Sequence, residues 1–118
     1  MTRLLALALA TTLGFLFGQA PGGAGDVPHE HLRVFETLVG PRWVAPLAGG
    51  EVEDEHVFSW VFGGKFLRDV HAVSTQAGEV VYEGETVYAW DPRDETLVWW
   101  YWNSTGGFLT GTAEVLFQ

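Results

Sequence analysis

Cysteine is absent from this chain of 118 residues, so disulfide bonds, zinc–thiolate sites and thiol nucleophiles are all excluded. Side-chain packing therefore has to hold the core together. Basic residues are scarce as well: 6 Lys and Arg stand against 15 Asp and Glu, which gives a formal net charge of −9. Because nucleic acids and anionic membrane surfaces are bound through clustered basic side chains, we expect neither as a partner.

The N-terminus has the pattern of a secretory signal peptide. Met1, Thr2 and Arg3 precede an uncharged, mostly apolar run of 14 residues, 4–17, and Gly-, Ala- and Pro-rich sequence follows. A membrane-spanning helix would need about 20 apolar residues. The sequence therefore predicts a signal peptide over residues 1–24, cleaved after Ala24, and a single exported domain over residues 25–118 that is periplasmic or extracellular.

Residues 79–103 have the pattern of a long β-hairpin. Both arms are rich in Val, Thr, Tyr and Trp, and Asp91-Pro92 is a typical turn opening. A four-residue turn after Trp90 would pair that residue with Glu95. The second arm holds four consecutive aromatic residues, 99–102, whose side chains alternate between the two faces of the strand. We therefore expect one face to line a barrel and the other to lie under a helix or a partner.

A second hairpin is predicted around Gly63-Gly64, which lies between two apolar arms. Glycine supplies the positive φ angles of tight hairpin turns without strain. A two-residue loop sets the cross-strand pairs Phe62–Lys65, Trp60–Leu67, Phe58–Asp69 and His56–His71.

Residues 28–39 have the spacing of a short amphipathic helix, with apolar side chains at Leu32, Phe35, Leu38 and Val39. Asp26 is the predicted N-cap, and Gly40-Pro41 ends the helix. A helix this short is marginal alone, so we expect it to pack on the exposed aromatic face of the hairpin and to cover Trp100 and Trp102.

Turn signals divide the rest of the chain into about six strands after this one helix. The predicted fold is mainly β, an antiparallel meander that curves into a barrel. Closing a barrel usually takes about eight strands. The sequence therefore predicts an incomplete barrel, truncated at its C-terminal end.

Four segments resemble the DUF1579 family of uncharacterised bacterial domains. They are Leu38-Val39-Gly40 with Trp43, then residues 58–68, 82–92 and 98–104, and the resemblance spans residues 32–112. DUF1579 is similar to the calycins, so the resemblance implies a lipocalin-like antiparallel barrel. It implies no catalytic residues.

An aromatic barrel interior favours binding of a small apolar or aromatic ligand. The expected lining residues are Trp60, Phe62, Leu67, Tyr88, Trp90, Trp99 and Tyr101. The sequence identifies no cofactor. Two alternatives remain: an enzyme with a cone-shaped sheet that resembles ketosteroid isomerases and uses a buried carboxylate, and a protein that forms homodimers through its exposed aromatic strand.

The predicted pairing of His56 with His71 brings the two imidazoles side by side. Asp54 and Asp69 lie two residues away on the same face, so the four side chains form a candidate site for a divalent metal. The alternative is two solvated histidines at the rim of the sheet.

Two other pairs of ionisable residues have simpler explanations. His29 and His31 are two residues apart in a predicted helix, which would point their rings in different directions. Glu83 and Glu85 point to one face of a strand, as a glycosidase acid and base would. A solvated strand face shows the same spacing.

Overall fold

The computed structural model describes residues 25–115, which form one helix followed by one antiparallel sheet. The strands occur in the sheet in the order of the sequence: β1 (Arg42–Leu47), β2 (Val52–Val61), β3 (Phe66–Thr75), β4 (Val80–Asp91), β5 (Thr96–Asn103) and β6 (Phe108–Ala113). The predicted signal peptide lies outside the described residues. No helix within residues 25–115 is long and apolar enough to span a bilayer.

The predicted mainly β meander of six strands is confirmed. Within the described part of the chain β1 and β6 do not pair with each other, so the sheet is open and not a closed barrel. The cone-shaped alternative needs several helices inside a curved sheet. Apart from single turns of three residues, residues 25–115 contain one helix.

The predicted pairing of β2 with β3 is confirmed, because His56 pairs with His71 and Trp60 pairs with Leu67. The connecting loop is longer than predicted. Val61 and Phe66 form the last pair, and the Lys65 amide donates to the Val61 carbonyl at 3.1 Å across a four-residue turn. Three residues in that turn have positive φ, including Phe62 at 50°. Phe62 and Lys65 therefore belong to the turn and not to the strands.

The predicted pairing of β4 with β5 is wrong by two residues. Trp90 pairs with Leu97 instead of Glu95, and Asp91 pairs with Thr96. The reason is that Asp91 still belongs to the strand while its carboxylate accepts a hydrogen bond from the Arg93 amide at 2.9 Å. The turn therefore occupies residues 92–95. A shift of two residues leaves every side chain on its predicted face.

The register gives the sheet two distinct faces. The inner face is defined by residues that pair across neighbouring strands: Trp43 with His56, His56 with His71, Leu67 with Tyr88, Tyr88 with Trp99 and Trp99 with Gly111. The outer face carries the alternate side chains, among them Val57, Val70, Val87, Trp100 and Trp102.

The helix is a 3₁₀ helix of nine residues, Glu30–Leu38. Leu32, Phe35 and Leu38 recur every third residue, which aligns them on one edge of a helix with three residues per turn. The N-cap is His29, whose Nδ1 accepts a hydrogen bond from the His31 amide at 3.3 Å, so the predicted capping by Asp26 is wrong.

The helix covers the inner face, and the prediction that it covers Trp100 and Trp102 is wrong. The Val27 amide donates to Gly63 at 2.8 Å and the His29 amide donates to Gly64 at 2.9 Å, which fixes the start of the helix over the β2–β3 turn. A Cβ atom on Gly64 would lie 2.5 Å from the Val27 carbonyl oxygen, so only glycine allows this approach.

The helix and the inner face enclose the small core. Leu32 of the helix and Leu67 of β3 are both 0% exposed, and the Phe35 ring lies 5.3 Å from the Tyr88 ring. Trp100 and Trp102 remain 37% and 39% exposed on the outer face. The end of the inner face beyond the helix holds the polar side chains described next.

Candidate functional site

Four ionisable side chains meet on the inner face of β2 and β3. We call Asp54, His56, Asp69 and His71 the His–Asp cluster. They come together because His56 pairs with His71 and both aspartates lie two residues from a histidine on the same face. The two imidazole rings are stacked, with centroids 4.8 Å apart. The sequence predicted this grouping.

Each histidine of the cluster contacts a carboxylate through a defined nitrogen. His56 Nδ1 lies 2.8 Å from Asp69 Oδ2, and its Nε2 lies 3.2 Å from Asp54 Oδ2. His71 Nδ1 lies 2.9 Å from Asp54 Oδ1. Asp54 therefore joins the two rings. Asp69 is buried beneath them, with its side chain only 7% exposed.

Two tyrosines extend the cluster toward β4 and β5, and sequence reasoning missed Tyr82. His71 Nε2 lies 3.3 Å from the Tyr101 hydroxyl, which in turn lies 2.5 Å from the Tyr82 hydroxyl. Gly84 makes room for this contact, because a Cβ atom there would lie 2.4 Å from His71 Nε2 and 2.7 Å from the Tyr101 hydroxyl. An isolated glycine inside a strand is a sequence signal for such close approach.

Contacts within the cluster shift the pKa values of His56 and Asp54. Burial opposes protonation of His56, but the hydrogen bonds and negative charges of Asp69 and Asp54 outweigh burial and raise the pKa of His56. Burial likewise opposes ionisation of Asp54, and hydrogen bonds from His71 and His56 overcome it and lower the pKa of Asp54. Burial and the charge of Asp69 raise the pKa of Tyr88.

An apolar groove of about 460 Å³ lies beside the cluster, over β4, β5 and β6. Its lining residues are Thr86, Tyr88, Trp99, Tyr101, Leu109 and Ala113. Tyr101 belongs to both features, because its ring lines the groove while its hydroxyl contacts His71. The Trp99 ring lies over Gly111, where a Cβ atom would be 2.6 Å from the ring. The groove therefore has aromatic walls and one polar end.

Three of the seven predicted lining residues, Tyr88, Trp99 and Tyr101, line this groove. Trp60 shares the inner face, while Leu67 is fully buried in the core. Phe62 is 80% exposed in the β2–β3 turn and contacts the outer-face residue Phe66, so it is not part of the inner face. Positive φ at Phe62 places it in the turn and ends the alternation on which its prediction rested.

Trp90 lies under the start of the helix. The His31 ring stacks on it with centroids 3.6 Å apart, and the His29 ring stacks on His31 at 5.5 Å. The expectation that these two histidines point apart is therefore wrong, because His29 precedes the helix as its cap. Trp90 also lines a second groove of about 690 Å³, whose other residues include Glu30, Arg33, Glu95 and Glu114.

The glutamate pair of β4 is separate from both grooves of the inner face. Glu85 pairs across the sheet with Trp102 on the outer face and forms an ion pair with Arg68. The Glu83 backbone binds Ser104, whose hydroxyl lies 3.0 Å from the Glu83 amide. Neither carboxylate lies on the inner face beside the aromatic groove. Glu85 instead lines a groove of about 380 Å³ on the outer face, together with Phe66 and its ion-pair partner Arg68.

Comparison of the chain with protein-family models, with curated proteins and with solved structures finds no match. The resemblance to DUF1579 therefore stays a prediction.

Proposed function

We propose that this protein binds a small apolar or aromatic molecule in the groove over β4, β5 and β6. The observation that carries the proposal is the space of about 460 Å³ walled by Tyr88, Trp99 and Tyr101. Binding sites for small molecules are typically clefts of a few hundred Å³ with apolar and aromatic walls and a few polar groups. The apolar body of the ligand would contact Trp99 and Leu109.

The polar end of the groove suggests how the ligand is oriented. The Tyr101 hydroxyl contacts His71 and Tyr82 at one side of the aromatic walls. A ligand with one hydrogen-bonding group could direct that group toward this hydroxyl. The second groove suits such a ligand less well, because Glu30, Arg33, Glu95 and Glu114 contribute charged side chains to its lining.

The test uses two exposed residues of β6 that point to opposite faces. Leu109 lines the groove and is 59% exposed, whereas Phe108 is 62% exposed on the outer face. We expect Leu109→Glu to weaken binding of N-phenyl-1-naphthylamine by about tenfold or more, which is about 1.4 kcal/mol. The reason is that the variant brings a carboxylate into the apolar groove. The uncharged probe avoids repulsion by a chain of net charge −9.

The measurement is a fluorescence titration of wild type and of each variant, and Phe108→Glu is the matched control. It adds the same charge to the same strand and should leave the affinity for the probe unchanged. Equal losses in the two variants, or a loss in Phe108→Glu alone, would place the probe elsewhere and contradict the proposal.

A further inference from the structure

We propose that Asp54, His56 and His71 bind one divalent first-row transition metal ion of the Zn²⁺ type. The three side chains lie on neighbouring strands, and each presents one donor atom such that all three atoms lie within 4.8 Å of one another. This site is separate from the proposed ligand groove and goes beyond the function proposed above.

Each histidine ring contacts a second partner through one nitrogen, and this contact determines which nitrogen faces Asp54. His56 Nδ1 contacts Asp69 at 2.8 Å, which leaves Nε2 toward Asp54. His71 Nε2 contacts Tyr101 at 3.3 Å, which leaves Nδ1 toward Asp54. Histidines that bind metals usually donate their other ring N–H to a carboxylate or another acceptor, which fixes the tautomer and the orientation of the ring. Asp69 and Tyr101 are in place to do this.

The charge of the cluster also fits a divalent cation. Among residues 25–115, the ion pairs of Asp54 and Asp69 are with histidines and not with Lys or Arg. A divalent ion that replaces the imidazole protons would therefore not have to displace a Lys or Arg side chain from these carboxylates. Asp54 is 20% exposed and His56 is 32% exposed, so an ion can reach the donor atoms from solvent.

The donor types select the class of metal. Imidazole with one carboxylate suits Zn²⁺ and its neighbours in the first row, whereas Ca²⁺ prefers six to eight oxygen ligands. Tetrahedral Zn²⁺ with bonds of about 2.0–2.1 Å would hold its donors about 3.3 Å apart. The three donor atoms, which lie within 4.8 Å of one another, therefore need to draw together by up to about 1.5 Å. Three protein ligands would leave a fourth position for water or another ligand.

Calorimetric titration of the intact chain with Zn²⁺ tests the proposal. We expect one Zn²⁺ per chain and much weaker binding of Ca²⁺. Asp54→Asn should weaken Zn²⁺ binding strongly, because it removes a charged ligand from a partly exposed position while keeping the size of the side chain. Asp69→Asn should weaken it by about 10–100-fold through the orientation of His56, without removing a ligand.

The matched control is the double variant His29→Gln with His31→Gln, which removes the other two histidines of the chain. Zn²⁺ affinity should be unchanged in it. Circular dichroism of every variant confirms that the sheet is intact before titration. Failure of the wild type to bind Zn²⁺, equal affinity for Zn²⁺ and Ca²⁺, or loss of binding in the His29 and His31 variant but not in Asp54→Asn would each overturn the proposal.

Discussion

Leu67→Ala is expected to lower the free energy of unfolding by about 3 kcal/mol, since burial is lost and a cavity remains. Leu67 is 0% exposed at the centre of the inner face, where the helix packs against β3 and β4. Leu32 and Leu67 are the largest fully buried side chains of residues 25–115. Truncation of Leu67 therefore removes a large part of the buried apolar core. Urea unfolding followed by tryptophan fluorescence measures the effect.

Val70→Ala is the control for this prediction. Val70 lies in the same strand but points to the outer face, where it is 38% exposed. Exposed substitutions usually change stability by about 0.5 kcal/mol or less. Equal destabilisation by the two variants would mean that the helix does not cover the inner face of β3.

Asp69→Ala is expected to lower the free energy of unfolding by about 2 kcal/mol, because His56 loses its buried hydrogen-bond partner. The Asp69 side chain is 7% exposed and lies 2.8 Å from His56 Nδ1. His56 is partly exposed and can lose its proton, so the cost should stay below that of a fully buried pair. The pKa of His56 should fall, because Asp69 is one of the two carboxylates that raise it.

Two comparisons show whether this loss comes from the hydrogen bond. Asp69→Asn keeps an acceptor for His56 and should cost less stability than Asp69→Ala. Asp94→Ala removes an exposed carboxylate of the β4–β5 turn and should have almost no effect. Unfolding in urea measures stability, and NMR titration gives the pKa of His56. An unchanged pKa of His56 in Asp69→Ala would contradict the contact.

The sequence predicted the His–Asp cluster because Gly63-Gly64, between two apolar arms, indicated the position of the turn. The position of the turn then set the β2–β3 register. The exact loop was wrong, yet the pairing of His56 with His71 survived because the turn is symmetric about the same point. Register, more than loop shape, decides which side chains meet.

The β4–β5 register was less predictable because Asp91 has two roles. Its backbone continues the strand while its side chain caps the turn, and the sequence shows only the second role. The error of two residues moved Glu85 from Trp100 to Trp102 but left Tyr88, Trp99 and Tyr101 on the predicted face. The groove was therefore partly predicted despite the wrong pairing.

The side on which the helix packs could not be read from the aromatic pattern, because both faces of β5 carry large aromatic side chains. Backbone hydrogen bonds from Val27 and His29 to the β2–β3 turn hold the helix on the inner face. The pattern of side chains in the sequence does not predict such backbone contacts. Tyr82 was missed because its contacts with the cluster cross between strands. Its ring packs edge-on against the His71 ring with centroids 5.6 Å apart, and its hydroxyl contacts that of Tyr101.

The metal proposal needs His56 and His71 side by side on the inner face, and the ligand groove meets this cluster at Tyr101. Nuclear Overhauser spectra of the ring protons test this arrangement most directly. We expect strong cross-peaks between the His56 and His71 rings, whose centroids are 4.8 Å apart, and between His71 and Tyr101. Gly84→Ala should weaken the His71–Tyr101 peak, because its Cβ would lie 2.4 Å from His71 Nε2. Absence of the His56–His71 cross-peak in the folded wild-type protein would contradict the β2–β3 register and the proposed metal site.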